Sequence, residues 1–192
     1  MQKQKNFQLA VIGVLAFAVI CMSVGFAAYS QTLNITGTTK VGPAKWSVHF
    51  DADSYQESTG DKFVASTSKT VNDTSVTFGA TLAEPGQKFA FTVNVVNDGT
   101  FDAILKKITL SELTEEQSKY LKYSLVYDND TQNPYTGVTD NLSTALLHDT
   151  GANTHPVLVT VEYVQPTNSA DLPEKAVEIS LTAALDYVQD EK

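Results

Sequence analysis

The sequence predicts an all-β protein, a jelly-roll or immunoglobulin-like sandwich with one short helix, preceded by an N-terminal apolar helix. Apolar and polar residues alternate with the period of two that β-strands show, over nine or ten short segments after residue 28. Turn residues separate these segments, and no repeat of solenoid length occurs. Before them lies a run from Leu9 to Ala28 whose one polar side chain is Ser23.

The apolar run predicts export. As a helix, Leu9 to Ala28 would be about 30 Å long, enough to cross a bilayer, and two lysines precede it. The small residues Gly25 and Ala27 predict cleavage between Ala27 and Ala28, so we interpret residues 1–27 as a signal peptide. The alternative is an uncleaved anchor, with Leu9 to Ala28 as the only contact with the membrane. Both interpretations place the rest of the chain outside the membrane.

Composition limits the function of the exported part. All 13 basic residues of the chain are lysines, and two of them lie in the leader, which leaves 11 against 22 acidic residues, a net charge of −11. Such a charge argues against nucleic acid as a partner, because binding there depends on neutralising phosphates. The one cysteine, Cys21, lies in the leader, so the exported part has neither a disulfide nor a thiol nucleophile.

The first predicted strand follows the cleavage position, within residues 28–41. Its apolar side chains Tyr29, Leu33, Ile35 and Val41 fall on one side, and serine, threonine and asparagine occupy most of the other. This strand either pairs within its own domain or passes to another chain as a donor strand. Residues 42–192 are predicted to form the sandwich domain.

The first half of that domain predicts five further strands, at residues 46–50, 63–71, 76–82, 89–95 and 101–110. Residues 51–62 are polar and predict a loop, and the turn at Glu84–Gln87 contains Pro-Gly. Residues Asn97 to Thr100 contain Asp-Gly and predict a hairpin between the last two strands. The apolar alternation changes phase between Leu105 and Ile108, which predicts a bulge.

The second half predicts one helix and four strands. Thr114 and Gln117 have the spacing of a capping box, so a short helix is expected over residues 115–121. Loops are expected at residues 128–140 and 165–175. The strands are expected at residues 121–127, 142–147, 157–163 and 177–187.

No catalytic or cofactor motif is present, so we predict a protein that is not an enzyme and holds no metal. There is no His-Glu-x-x-His, no nucleophile elbow and no phosphate-binding loop. The carboxylate pairs Asp51/Asp53 and Asp128/Asp130 are expected to be solvated turn residues, with an irregular calcium site as the less favoured interpretation. The three histidines are expected to be solvated surface residues: His49, His148 and His155.

Three segments together resemble the TasA/camelysin family of exported Gram-positive proteins. They are the leader end Val24–Ser30, the strand Leu33–Thr38, and the stretch from Leu82-Ala83-Glu84-Pro85-Gly86-Gln87 to the turn ending at Thr100. The resemblance covers the leader and about the first half of the domain. It implies a jelly-roll fold and assembly into biofilm-matrix fibres, in which the N-terminal strand of one subunit completes the sheet of the next. Camelysin is described as a metallopeptidase, but this sequence has no zinc-binding motif for that activity.

The expected function is that of an exported structural subunit that forms or decorates extracellular matrix fibres, secreted or at the cell surface. Its expected partners are copies of itself or related fibre subunits, and a signal peptidase during export. The alternatives are a membrane-anchored sandwich that binds a protein or glycan, a camelysin-like metallopeptidase, and a pilin cleaved near Asn6. A pilin would normally have a glycine before the apolar run and a glutamate just inside it, and both are missing here.

Overall fold

A computed structural model describes residues 42–148, 151–173 and 181–191. The predicted N-terminal helix, the cleavage position between Ala27 and Ala28, and the strand face formed by Tyr29, Leu33, Ile35 and Val41 lie outside these residues. Within the described ranges the chain is mainly β-strand, in several antiparallel sheets, which confirms the all-β prediction. The described part contains no helix that is long and apolar enough to cross a membrane.

The first of two four-stranded antiparallel sheets supplies about two thirds of the buried apolar residues of the described chain. On its two central strands, every second side chain is buried, as the period of two predicts. In sheet order the strands are β1 (Val48–Glu57), β4 (Lys88–Asn97), β9 (Thr154–Tyr163) and β6 (Leu121–Tyr127).

A second sheet and a separate hairpin accompany the first. In the second sheet the central strand is β5 (Ala103–Leu110), which pairs with β10 (Ala183–Gln189), β7 (Val138–Thr139) and β8 (Thr144–Leu146). The hairpin consists of β2 (Ser66–Asn72) and β3 (Ser75–Ala80).

The core is formed by side chains from both larger sheets, which gives a sandwich-like arrangement. Phe89 and Phe91 of the first sheet belong to the same buried cluster as Leu105 and Ile108 of the second. The hairpin adds Phe78, whose ring stacks on Phe89 at 5.1 Å and meets Phe91 edge-on at 5.2 Å. Aromatic contacts of this kind stabilise beyond the area they bury, so the hairpin is packed onto the core.

The predicted loop at residues 51–62 is wrong, because β1 continues to Glu57. A bulge separates the pairs Asp51–Asn94 and Gln56–Thr92, so β1 accommodates extra residues while its partner continues. The bulge is closed locally by the Asp51 carboxylate, which accepts a hydrogen bond from the backbone N–H of Asp53 at 3.1 Å. It also turns Tyr55 inward, where the ring stacks on a core phenylalanine of β4 at 5.0 Å. A polar sequence therefore forms a strand here because its partner strand is strongly apolar.

The predicted hairpin at Asn97–Thr100 is also wrong. β4 pairs with β1 and β9, and β5 pairs within the other sheet, so the turn crosses between sheets. The Asn97 amide holds this crossing by donating to the carbonyl oxygens of Phe101 at 2.9 Å and Leu146 at 3.0 Å. Gly99 is required because a Cβ there would lie 2.7 Å from the carbonyl oxygen of Lys45.

Two local predictions are confirmed and two need adjustment. The bulge predicted before Ile108 is present, since Leu105 pairs with Tyr187 while Lys107 pairs with Asp186. The capping box is present as well, with reciprocal hydrogen bonds of 2.9 and 3.1 Å between Thr114 and Gln117.

The helix predicted over residues 115–121 is shorter than expected. It is only a 3₁₀ turn, Gln117–Lys119, because Leu121 already begins β6. Two short elements lie inside predicted loops, namely β7 and the 3₁₀ turn Ser169–Asp171.

Candidate functional site: a groove between two strand edges

A long groove with a volume of about 1610 Å³ is open along one side of the sandwich. One wall is β3 and the following residues to Ala83, and the other wall is the segment from Leu181 to Tyr187. The floor is formed mainly by side chains of the four-stranded sheet and its flanks: Val48, Phe50, Val95, Tyr120, Leu121, Val161 and Tyr163. This volume exceeds the roughly 300–1,000 Å³ of ordinary small-molecule pockets, so the groove suits an extended chain.

Both walls of the groove are strand edges. Within the described part of the chain, β3 pairs with β2 alone, and β10 pairs with β5 alone. Successive side chains of a strand point to opposite faces, yet consecutive residues of each wall, such as Thr77 and Phe78, both line the groove. The backbone edges themselves therefore face the groove. Unpaired edges of this kind are templates for pairing with another strand.

The two walls run in opposite directions. The turn of the hairpin lies near the beginning of β1, where the N–H of Phe50 donates to the carbonyl oxygen of Asp73 at 2.8 Å. From there β3 runs toward the opposite end of the sandwich, because Ser66, at the start of its partner β2, bonds the Glu57 carboxylate at the end of β1. β10 runs back, ending where the N–H of Asp190 donates to the carbonyl oxygen of Asp102 at 2.8 Å.

Several apolar side chains inside the groove are only partly covered. Phe50, Val76, Phe78 and Leu185 are half-buried and pack against the buried core. The same four side chains also line a smaller cavity of about 40 Å³ between the groove and the core. The core is therefore incompletely covered here by the described residues. Apolar side chains supplied to this groove would lose contact with water and stabilise the complex.

Charge in the groove is sparse and of one sign. Among the described residues that line it there is no lysine, and its two carboxylates are Asp73 and Asp186. His49 also lines the groove, and its ring lies 3.8 Å from the Asp98 carboxylate. A suitable occupant therefore has few charges, and those charges are positive.

A hydrogen-bonded pair of tyrosines lies toward the end of the β10 wall of the groove. The hydroxyl of Tyr187 on β10 donates to the hydroxyl of Tyr127 on β6 at 3.0 Å, which joins the two sheets. Burial raises the pKa of Tyr127 to about 12. Burial also raises the pKa of Tyr187 well above its usual range, and the neighbouring Tyr127 adds to that effect. Both phenols are therefore neutral over the physiological pH range.

The histidines make no common site, and one of the expectations about them is wrong. His148 pairs with Asp102 at 2.7 Å, and His155 lies 3.4 Å from the Asp128 carboxylate. The side chain of His155 is only 12% exposed, because it packs against the ring of Tyr127 at 5.3 Å, so it is not a solvated surface group. No three metal-ligating side chains come together in the described ranges.

The carboxylates of the predicted acidic pairs have local roles. The Asp130 carboxylate accepts hydrogen bonds from the Asn133 side chain at 2.9 and 3.2 Å, and Asp51 closes the β1 bulge. Asp130 therefore acts as a turn residue, as predicted, whereas the prediction is wrong for Asp51 and Asp53, which lie in β1 at its bulge. Sequence reasoning did not find the groove, because a space between two distant strands leaves no pattern in the chain. The only available signal was the weak Ser/Thr-rich character of residues 63–71, which marks a strand outside the main sheets.

Comparison with known proteins does not add a relative. No protein-family model matches the chain, and no curated protein matches it.

Proposed function

We propose that this protein is an exported structural subunit whose groove is filled by residues 29–41 of a second copy, so that subunits assemble into extracellular fibres. The observation that carries the proposal is the groove between β3 and β10, each of which has an edge without a partner among the residues that the structure describes. A strand placed there pairs its backbone with an edge on each side, and its apolar side chains enter the incomplete core. This is strand addition, a general mode of peptide recognition.

Residues 29–41 have the composition that this groove requires. Their one charged side chain is Lys40, and the described residues that line the groove include two carboxylates and no lysine. Tyr29, Leu33, Ile35 and Val41 supply an apolar face. Burying four side chains of this size contributes on the order of 6–12 kcal/mol before ordering costs, at about 1.5–3 kcal/mol each. That amount is comparable with the roughly 4–15 kcal/mol that association costs, so the proposal also requires the main-chain hydrogen bonds to the two walls.

The filled groove would also give the domain a simpler architecture. One added strand would join the hairpin β2–β3 to the sheet of β10, β5 and β7, and this joined sheet would face the four-stranded one. Two sheets of comparable size then enclose one core, as in the jelly-roll sandwich implied by the TasA/camelysin resemblance. Cleavage between Ala27 and Ala28 frees the donor strand, so an exported chain beginning at Ala28 is part of the proposal.

The test is to delete residues 28–38 from the mature chain and to follow both folding and size. The expected product is a folded monomer that no longer forms fibres and that binds a synthetic peptide of residues 29–41. A deletion variant that still polymerises rejects the donor role. A variant that unfolds, and that the peptide does not restore, supports pairing of the strand within its own domain.

The N-terminus of the exported protein provides an independent test. Mass spectrometry is expected to give a mature chain that begins at Ala28. A mature protein that retains Met1 would support the anchored alternative, and one that begins near Asn6 would support a pilin.

A further inference from the structure

We infer that the surface around Trp46 is the second contact between successive subunits, and that it is covered by the copy whose groove receives the strand. This inference rests on the proposed function. The surface, which we call the tether face, consists of Trp46, Asp98, Asp102, Leu147 and His148. It surrounds the crossing turn between β4 and β5.

The first argument is the length of the connection. Val41 ends the proposed donor strand, and only three residues separate it from Lys45. Four steps along an extended chain span at most about 14 Å. Lys45 is fixed on the sandwich, because its N–H donates to the Thr100 hydroxyl and its carbonyl oxygen accepts from the Thr100 N–H, both at 2.9 Å. The receiving subunit must therefore lie directly beside this end of the donor subunit.

The second argument is the rigid presentation of Trp46. Hydrogen bonds hold the backbone on both sides of it, at Lys45 and at Ser47, whose carbonyl oxygen accepts from the Asp98 N–H at 2.9 Å. The close approach of Lys45 to Gly99 leaves no space for a side chain between the two segments. The indole is nevertheless 46% exposed. An exposed tryptophan on an ordered backbone loses little entropy on binding, and tryptophan is among the residues that contribute most at protein interfaces.

The third argument is a second exposed apolar residue on the far side of the same turn. Leu147 is 39% exposed. Its neighbour His148 holds it against the turn through the Asp102 carboxylate, which accepts from the His148 backbone N–H at 3.0 Å and contacts its ring at 2.7 Å. Two exposed apolar side chains thus lie on either side of a turn that carries carboxylates and a histidine, so the tether face offers both apolar and polar contacts.

The chain offers a natural reporter for this contact, because Trp46 is its only tryptophan. In the mature chain, fibre formation is expected to shift the tryptophan emission to shorter wavelength and to reduce its quenching by acrylamide several-fold. The monomer lacking residues 28–38 serves as the unassembled reference. Because this measurement uses the wild-type side chain, it does not depend on whether a variant folds.

A matched pair of variants tests the energetic role. Trp46→Ala is expected to raise the critical concentration for fibre formation at least about tenfold, which corresponds to about 1.4 kcal/mol. The control is Val138→Ala, at a residue that is 50% exposed on β7, where it pairs with Thr109 and lies away from the crossing turn. The control is expected to polymerise like the wild type, and the melting temperature of each isolated variant domain verifies folding.

The possible results separate this inference from the proposed function. Fibres in which Trp46 stays accessible, or a Trp46→Ala variant that polymerises like Val138→Ala, overturn the tether face and leave the donor strand intact. A mature wild-type chain that forms no fibres overturns both. An emission shift that appears with an added glycan and not on assembly overturns the inference in favour of a carbohydrate contact.

Discussion

The side-chain amide of Asn97 donates a hydrogen bond to the carbonyl oxygen of Leu146 at 3.0 Å and so joins the two main sheets. Asn97 is completely buried, and the same amide also donates to Phe101. Asn97→Ala leaves both carbonyl oxygens without this donor in the interior, which is expected to lower the free energy of unfolding by about 2–4 kcal/mol. Urea unfolding of the mature domain measures this loss.

Asn72→Ala is the control for that experiment, because the Asn72 amide bonds Ser75 in an exposed hairpin turn at 3.2 Å. The control is expected to cost less than about 1 kcal/mol. Equal losses from the two substitutions would contradict a bridging role for Asn97.

Glu57 is expected to stabilise the domain in a pH-dependent manner. Hydrogen bonds from the Ser66 hydroxyl at 2.6 Å and the Ser66 backbone N–H at 3.1 Å hold the pKa of Glu57 below its usual value. A carboxyl whose pKa is lowered in the folded state stabilises it above its unfolded pKa of 4.5, and this contribution disappears as the pH falls through the lowered value. Glu57→Gln is therefore expected to reduce the melting temperature by about 1–3 °C at pH 7, with a smaller difference near pH 3.

The exposed Glu115→Gln variant is the control for Glu57, and its melting temperature is expected to follow the wild type at both pH values. A Glu57→Gln deficit that is as large at pH 3 as at pH 7 would assign its effect to packing rather than to charge.

The tyrosine pair predicts sensitivity to alkaline pH. Burial raises the pKa of Tyr187 above its ordinary value, so the unfolded chain ionises first and stability falls as the pH rises above about 10. Tyr187→Phe removes one hydrogen bond and is expected to cost about 1 kcal/mol at pH 8. The difference from wild type is expected to shrink by pH 11, because the variant has no hydroxyl to ionise at this position. Urea unfolding at pH 8 and pH 11 measures the free energy of unfolding of both proteins. A difference between variant and wild type that is the same at the two pH values would contradict the prediction.

Disulfide trapping is expected to locate the donor strand between the two walls. The mature chain has no cysteine, so Thr77→Cys on β3 or Ala184→Cys on β10 gives an acceptor with a single thiol. Donor chains carry a cysteine at one of the alternate polar positions Thr32, Asn34 or Thr36, which together sample the possible registers. Adjacent strands lie about 4.8 Å apart, within the range that a disulfide spans.

The acceptor in this experiment lacks residues 28–38, which prevents trapping within one chain. For each of the two acceptor cysteines, at least one of the three donor cysteines is expected to form a disulfide-linked dimer rapidly. An acceptor with Val138→Cys on β7 is the control, because that exposed side chain lies away from the groove. Trapping that is no faster with the wall positions than with this control would exclude the groove as the binding site.

The central strands could be predicted from the sequence because strong alternation and burial coincide there. Phe89, Phe91, Val93 and Val95 alternate without interruption, and all four side chains are buried. Residues 51–57 could not be predicted as a strand, since they pair through a bulge and depend on a partner far away in the chain.

The residues of a turn predict less about the sheet arrangement than the alternation within a strand does. The Asn-Asp-Gly turn was recognised correctly as a turn, but its residues do not specify which sheet the next strand joins. That choice depends on Asn97 reaching Leu146, a contact between residues 49 positions apart. The groove could not be predicted from the sequence pattern, because it exists only where β3 and β10, which are far apart in the sequence, each have one edge without a partner in the described structure.

The opposite directions of β3 and β10 have a consequence for any strand that lies between them. Such a strand must pair in parallel with one wall and antiparallel with the other, and reversing it only exchanges the two. Backbone pairing then discriminates little between the two orientations, so the choice falls to the side chains. In residues 29–41 the apolar positions Tyr29, Leu33, Ile35 and Val41 are unequally spaced, and the reversed strand presents a different pattern. In such a polymer, the orientation of each subunit relative to the next would depend on the spacing of four side chains.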